Sequence, residues 1–132
     1  SKIKYNGYYY NLVIEKNKTT YNHIIRFFPS HKVIKVVLPL CSRNKSKLYF
    51  GDLFPSGNWF NENYINNGTF NIKENQISFK CRNVEYKGTI INDDKLILFC
   101  HSNINGHETI EEYKFISFDV LKDIDMIEKK YK

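Results

Sequence analysis

Cysteine is scarce in this chain. Cys41, Cys81 and Cys100 are the only three in 132 residues, too few and too scattered for a disulfide framework, and an odd count leaves at least one thiol unpaired. A reducing compartment follows, so we expect a cytoplasmic protein. The opening Ser-Lys-Ile-Lys-Tyr-Asn-Gly carries no apolar signal segment, but a trimmed chain would look the same and secretion stays open. The metal spacings Cys-x-x-Cys and His-x-x-x-His are missing. Cys100 and His101, neighbours on an expected strand, point to opposite faces and cannot readily clasp one ion. No metal and no cofactor is expected. Long apolar runs are also missing, none approaching the ~20 residues that a helix needs to cross a bilayer, so no membrane span is expected. Arginine is confined to Arg26, Arg43 and Arg82, and the lysines are spread singly along the chain. The formal charge of +6 and the pI near 9.1 therefore make nucleic acid the less favoured partner.

What is abundant is β-branched and aromatic, with ten tyrosines and ten phenylalanines. The stretch 21–38 reads as two strands, 21–28 and 33–38, joined across Pro29-Ser30-His31-Lys32, because such side chains fit a pleated sheet and the Pro-Ser pair favours a turn. An earlier strand is expected over 7–14, followed by a polar Lys/Asn turn, and Pro39 is expected to stop the third strand, since proline cannot donate to a ladder. From Gly68 onward a meander is predicted over 69–73, 76–81, 84–91, 95–101 and 109–118. Its alternation sets Ile77, Phe79 and Cys81 on one face against Gln76, Ser78 and Lys80 on the other. Gly88, in mid-strand, marks a bend of the kind that closes a sheet.

Two segments break this rhythm. Residues 40–67 hold Tyr49, Phe50, Phe54, Trp59, Phe60 and Tyr64 around Pro55 and Gly57 with neither period, and are read as short turns and loop folded over one end of a barrel. Residues 119–132 read as a helix, with Asp119 as N-cap, acids early and lysines late. Its stripe of Val120, Leu121, Ile124, Ile127 and Tyr131 should dock on the barrel.

About eight strands in sequential hairpins, without a long crossover, point to a single all-β domain over 1–132: an antiparallel up-and-down β-barrel with a short C-terminal helix. Its inward aromatic side chains should nearly fill it. The run Tyr21-x-x-Ile24-Ile25-Arg26-Phe27-Phe28-Pro29-x-x-x-Val33, then Gly68-x-Phe70-x-Ile72, Ile77-x-Phe79, Tyr86-x-Gly88-x-Ile90, Leu96-x-Leu98 and Glu112-Tyr113-x-Phe115, carries a resemblance. It is similar to a loosely defined lipocalin-like (calycin-type) barrel of uncharacterised small bacterial proteins, and to the C-terminal domain of certain F-box proteins. That resemblance implies the barrel and no particular reaction.

Arg26 lies within the most apolar strand, where an unpaired buried charge costs several kcal/mol. It must reach solvent, pair with a carboxylate, or hold an anionic ligand, and Glu112 and Tyr113 are the partners the sequence offers. Cys81 and Cys100 take inward positions and read as small hydrophobes. The carboxylate pairs Asp93-Asp94 and Glu111-Glu112 sit at a turn and on alternating strand faces, so no catalytic residue is assigned and no enzyme is expected. Phe54, Trp59, Phe60 and Tyr64 either plug the barrel or rim its mouth, and the polar loop ending at His107 is a second rim. The expected function is non-enzymatic binding: a lipocalin-like barrel that holds a small amphipathic ligand or presents its mouth to a protein. The alternative is a protein-protein inhibitor or evasion factor of phage or pathogen origin, such as a blocker of a host defence complex.

Overall fold

The computed structural model describes residues 2–13, 20–40, 53–57 and 59–131. Eight strands follow in chain order: β1 (Gly7–Val13), β2 (Thr20–Phe27), β3 (Lys32–Leu40), β4 (Asn67–Lys73), β5 (Gln76–Cys81), β6 (Val84–Asn92), β7 (Lys95–Ser102) and β8 (Glu108–Ser117), then the helix α1 (Phe118–Tyr131). Each strand pairs antiparallel with the next, and β1 pairs with β8 to close the barrel. No described helix is long and apolar enough to cross a membrane. Ile14 and the polar turn expected after it, Cys41, Arg43, Tyr49, Phe50 and Lys132 lie outside the described residues, as does the side chain of Tyr131.

Because successive side chains on a strand face opposite ways, the apolar residues separate into two clusters. The inward one includes Tyr9, Ile25, Phe27, Val33, Phe70, Phe79, Tyr86, Leu98 and Tyr113. Phe27 sits at its centre, with ring centroids 5.6 Å from Tyr9, 5.0 Å from Phe70 and 5.6 Å from Phe79 in edge-to-face contacts, the arrangement that aromatic quadrupoles favour. Ile3 joins this cluster. Tyr9 Oη accepts the Lys4 N–H, and Lys4 Nζ meets Asp94 at 2.8 Å, so the N-terminal segment seals the end that carries the β6–β7 turn. The outward cluster covers the opposite face of β1, β2 and β3, where Tyr8, Ile24, Ile34 and Val36 pack under Leu53, Phe54 and Leu121. The described part of the irregular segment thus lies along this wall.

Three local expectations are corrected. Pro39 does not stop β3; it pairs with Tyr21. The Lys35 N–H points toward the β4 side, to Asn66 O, and by alternation so would that of residue 39, whereas β4 pairs with β3 only as far as Ile34. The missing donor therefore costs the β2 ladder nothing. At the helix start, Ser117 Oγ accepts the Val120 N–H at 3.2 Å, which makes Ser117 the N-cap and places Asp119 in the first turn, where it still complements the dipole. Of the expected apolar stripe, Leu121 is buried and Ile124 half-buried, while Val120 and Ile127 stay exposed.

The β2–β3 turn forms as its residues suggest. His31 N–H bonds Phe28 O at 3.0 Å, and His31 takes a left-handed φ of 69°, the three-residue hairpin loop that begins well with proline. Gly88 is required where it stands: a Cβ there would clash with Ile97 O and come within 2.8 Å of Leu98 Cδ2. The register also shifts between Ile90 and Asn92, and the two features bend β6 around the barrel.

Candidate functional site

The barrel interior is not uniformly oily. Inward positions of β2, β3, β7 and β8 place His23, Lys35, Cys100, Glu111 and Tyr113 together. Cys81, Cys100, Glu111 and His23 all stand near the strand ends at which β1 leads to β2, β5 to β6 and β7 to β8. This is the end opposite the one sealed by Ile3.

Lys35 is 4% exposed. Its Nζ donates to Tyr113 Oη at 2.8 Å, and Tyr113 O–H in turn donates to Glu111 Oε2 at 2.9 Å. The same carboxylate oxygen accepts from Cys100 Sγ at 3.4 Å. Tyr86 and Tyr113 present their rings to Lys35 Nζ at 5.2 and 5.3 Å, within the reach of a cation–π contact. His23 Nδ1 is buried with no hydrogen-bond partner among the described residues.

Burial dominates the electrostatics. It pushes the Lys35 amine below its ordinary value, against the opposing pull of Glu111. His23 is lowered by burial and then by Lys35, with Glu111 acting the other way. Burial raises the Cys81 thiol to about 11 and that of Cys100 to about 12. Tyr86 and Tyr113 are pushed up for the same reason. The interior therefore favours uncharged groups, as a low-dielectric setting must. A buried amine, a phenol and a half-buried carboxylate in series can pass a proton and can offer donors to a polar guest. Among the described residues no group of three or more His, Cys, Asp or Glu side chains is placed to hold a metal.

Of the residues the sequence offers for a binding site, only Tyr113 belongs to this group; Cys100, expected inward as a small hydrophobe, joins it as a donor to Glu111. Arg26 faces outward at 9% exposure. Its Nη1 donates to Phe60 O at 2.5 Å and its guanidinium lies 4.5 Å from the Phe28 ring and 4.7 Å from that of Phe118. It clamps β2, the irregular segment and the start of α1, and pairs with neither expected partner, because Tyr113 faces inward and Glu112 meets Lys95 at 3.1 Å. The inward carboxylate is Glu111, one position earlier.

Phe54 is buried with its ring 4.9 Å from that of Tyr10, and half-buried Phe60 and Tyr64 meet edge to face at 5.2 Å. All three serve the outer cluster, whereas Trp59 is 72% exposed. His107 is exposed on the β7–β8 loop, its N–H held by Asn105 Oδ1. From the sequence alone Lys35 and His23 receive no role, and Glu111 enters only as half of a carboxylate pair with none. The signal was there: a lysine inside Val33-Ile34-Lys35-Val36-Val37 is as anomalous as an arginine inside Ile24-Ile25-Arg26-Phe27-Phe28.

A second surface lies outside. Phe99 and Ile110, directly opposed on β7 and β8, are exposed together with Ile97. No family model, curated protein or solved structure matches the chain.

Proposed function

We propose that this chain is a non-enzymatic binding protein, a lipocalin-like barrel that takes a small amphipathic ligand at the end where Cys81, Cys100 and Glu111 lie. The ligand's polar head would meet Lys35 and Tyr113, and its body the rings of Tyr86 and Tyr113. The closed half is packed with interlocked aromatic rings, so the ligand is short. One observation carries the reading: the amine of Lys35 is sealed inside the barrel with a single hydrogen-bond acceptor among the described residues, Tyr113 Oη. Such a group is expensive to bury, and a guest with an acceptor oxygen would offset part of that cost.

The test is a titration of the neutral fluorophore prodan into wild-type protein and Lys35→Met, with native mass spectrometry of each as purified. Saturable binding that weakens about tenfold or more in the variant supports the reading; that ratio corresponds to one hydrogen bond of ordinary strength in a dry site. No saturable binding, or equal binding by both proteins, overturns it.

A second reading is an inhibitor or evasion factor of phage or pathogen origin that works through its surface. Trp59 and the Phe99–Ile110 pair favour it, because exposed large apolar side chains are enriched at protein contacts. A stoichiometric complex in a pull-down from the native host, lost in Phe99→Lys and retained in Lys35→Met, would select it over the first.

A further inference from the structure

We propose that Lys35 is a covalent attachment site for a small aldehyde, which it holds as an imine inside the barrel. This rests on the binding reading above and names its ligand class. Three observations point to a carbonyl compound. The nitrogen is buried with two aromatic rings within 5.3 Å, which keep water away and offer apolar surface to a compact ring. Tyr113 Oη lies 2.8 Å from it and Glu111 Oε2 lies 2.9 Å beyond that oxygen, so a proton leaving the nitrogen has a continuous path to a carboxylate. The head of an anionic ligand would have to approach Glu111, whereas an aldehyde is neutral until it reacts.

Desolvation supports the same choice, since it favours the free amine, the nucleophilic form. The nitrogen lone pair attacks the carbonyl carbon, a C–N bond forms, and the π pair moves to oxygen. The nitrogen gives up a proton through Tyr113 to Glu111, and that same proton is delivered to the oxygen, giving a carbinolamine and restoring the carboxylate. The remaining nitrogen lone pair then expels hydroxide. The proton that the resulting iminium nitrogen loses along the same path converts the hydroxide to water and leaves the C=N bond. The sum is amine plus aldehyde to imine plus water, with no oxidant or reductant. Tyr113 and Glu111 act here as proton carriers and positioning residues.

The experiment incubates the full chain with benzaldehyde and sodium cyanoborohydride at about pH 7, where ordinary surface lysines with pKa near 10.4 remain protonated. Cyanoborohydride delivers hydride to the imine carbon and fixes the adduct. Intact mass should show one benzyl addition, and peptide mapping should place it on Lys35 at least tenfold ahead of any other lysine. Lys35→Met should lose it. Tyr113→Phe should slow its formation several-fold without lowering the melting temperature comparably, which a merely structural tyrosine would not do. Labelling spread evenly over the lysines, or unchanged in Lys35→Met, overturns the proposal.

The prodan titration and its competition by benzyl alcohol, which has the same ring and no carbonyl, separate the two claims. Lys35-dependent prodan binding without selective adduct formation removes the imine and keeps the reversible site. Loss of both removes the site itself.

Discussion

Lys35→Met asks what a buried amine costs this fold. The substitution keeps side-chain length and apolar volume and removes one hydrogen bond to Tyr113 and two ring contacts. Against these losses stands the desolvation of an ammonium, several kcal/mol in a real interior. The partner groups are not stranded, because Tyr113 O–H still donates to Glu111, and Glu111 is only half-buried. Replacement of buried ionic groups by apolar ones of like volume commonly stabilises by about 1–4 kcal/mol, and with the lost hydrogen bond set against it we expect a gain of about 1–3 kcal/mol at neutral pH. For a chain of this length, an unfolding entropy of roughly 2.1 cal/mol/K per residue turns that into about 4–10 °C of melting temperature.

The sign with pH is fixed as well. Unfolded, the amine keeps its proton up to its ordinary 10.5; folded, it releases it earlier. Wild-type stability from this group therefore climbs as pH rises from the depressed value to 10.5, and the advantage of the variant shrinks over the same window. Urea unfolding of both proteins at several pH values measures it. A loss of more than about 1 kcal/mol in the variant, or a gain that does not change with pH, would refute the reasoning.

Gly88→Ala should lower the urea midpoint by the equivalent of about 1–3 kcal/mol, the usual cost of overpacking, because its Cβ meets Ile97 O and Leu98 with no room to move outward. Ser117→Ala should cost about 1 kcal/mol by thermal melting, and Asp119→Ala only a few tenths, since Ser117 holds the Val120 N–H and Asp119 acts through the helix dipole. On the alkaline side the buried thiols work against stability. Unfolded cysteine ionises near 9.0, while Cys81 and Cys100 wait until about 11 and 12, so their contribution is complete below pH 9 and is lost as pH rises through those values. Denaturant midpoints followed over that range should fall, and Cys81→Ala should flatten part of the fall.

Strand positions were legible because a period of two is a strong signal wherever one face is wet. In β4, β5, β6 and β8 polar side chains alternate with Phe70, Ile77, Phe79, Tyr86 and Tyr113, and the expected strands from β4 to β8 match the observed ones to within two residues. In β1, β2 and β3 the alternation fails for a physical reason. Their outer wall is covered by Leu53, Phe54 and Leu121, so Tyr8 and Tyr9, Ile24 and Ile25, Val33 and Ile34 are all buried. Period two then divides each strand into two apolar faces without saying which is inside. Arg26 and Lys35 are both buried cations, one beneath the outer cluster and one inside the barrel, and strand period alone does not tell which is which. Pro39 misled in a related way: whether a proline breaks a strand depends on which neighbour its nitrogen faces, and that is a property of the sheet.

The same two-sided burial bears on function. Stability in this chain rests on the aromatic packing around Phe27 and on the outer cluster beneath α1; Lys35 touches only the Tyr86 and Tyr113 margin of the first and none of the second. A barrel held together by those two clusters can carry an unfavourable amine in its remaining interior, as proteins that sit above a stability threshold do at sites that serve binding or chemistry. A purely structural ion pair would be expected to bring Lys35 and Glu111 into direct contact. Here a phenol separates them, each keeps a bond to the same oxygen atom of Tyr113, and the nitrogen retains donors with nothing to receive them among the described residues. If that geometry serves a ligand, the stability of Lys35→Met and its loss of ligand must move in opposite directions.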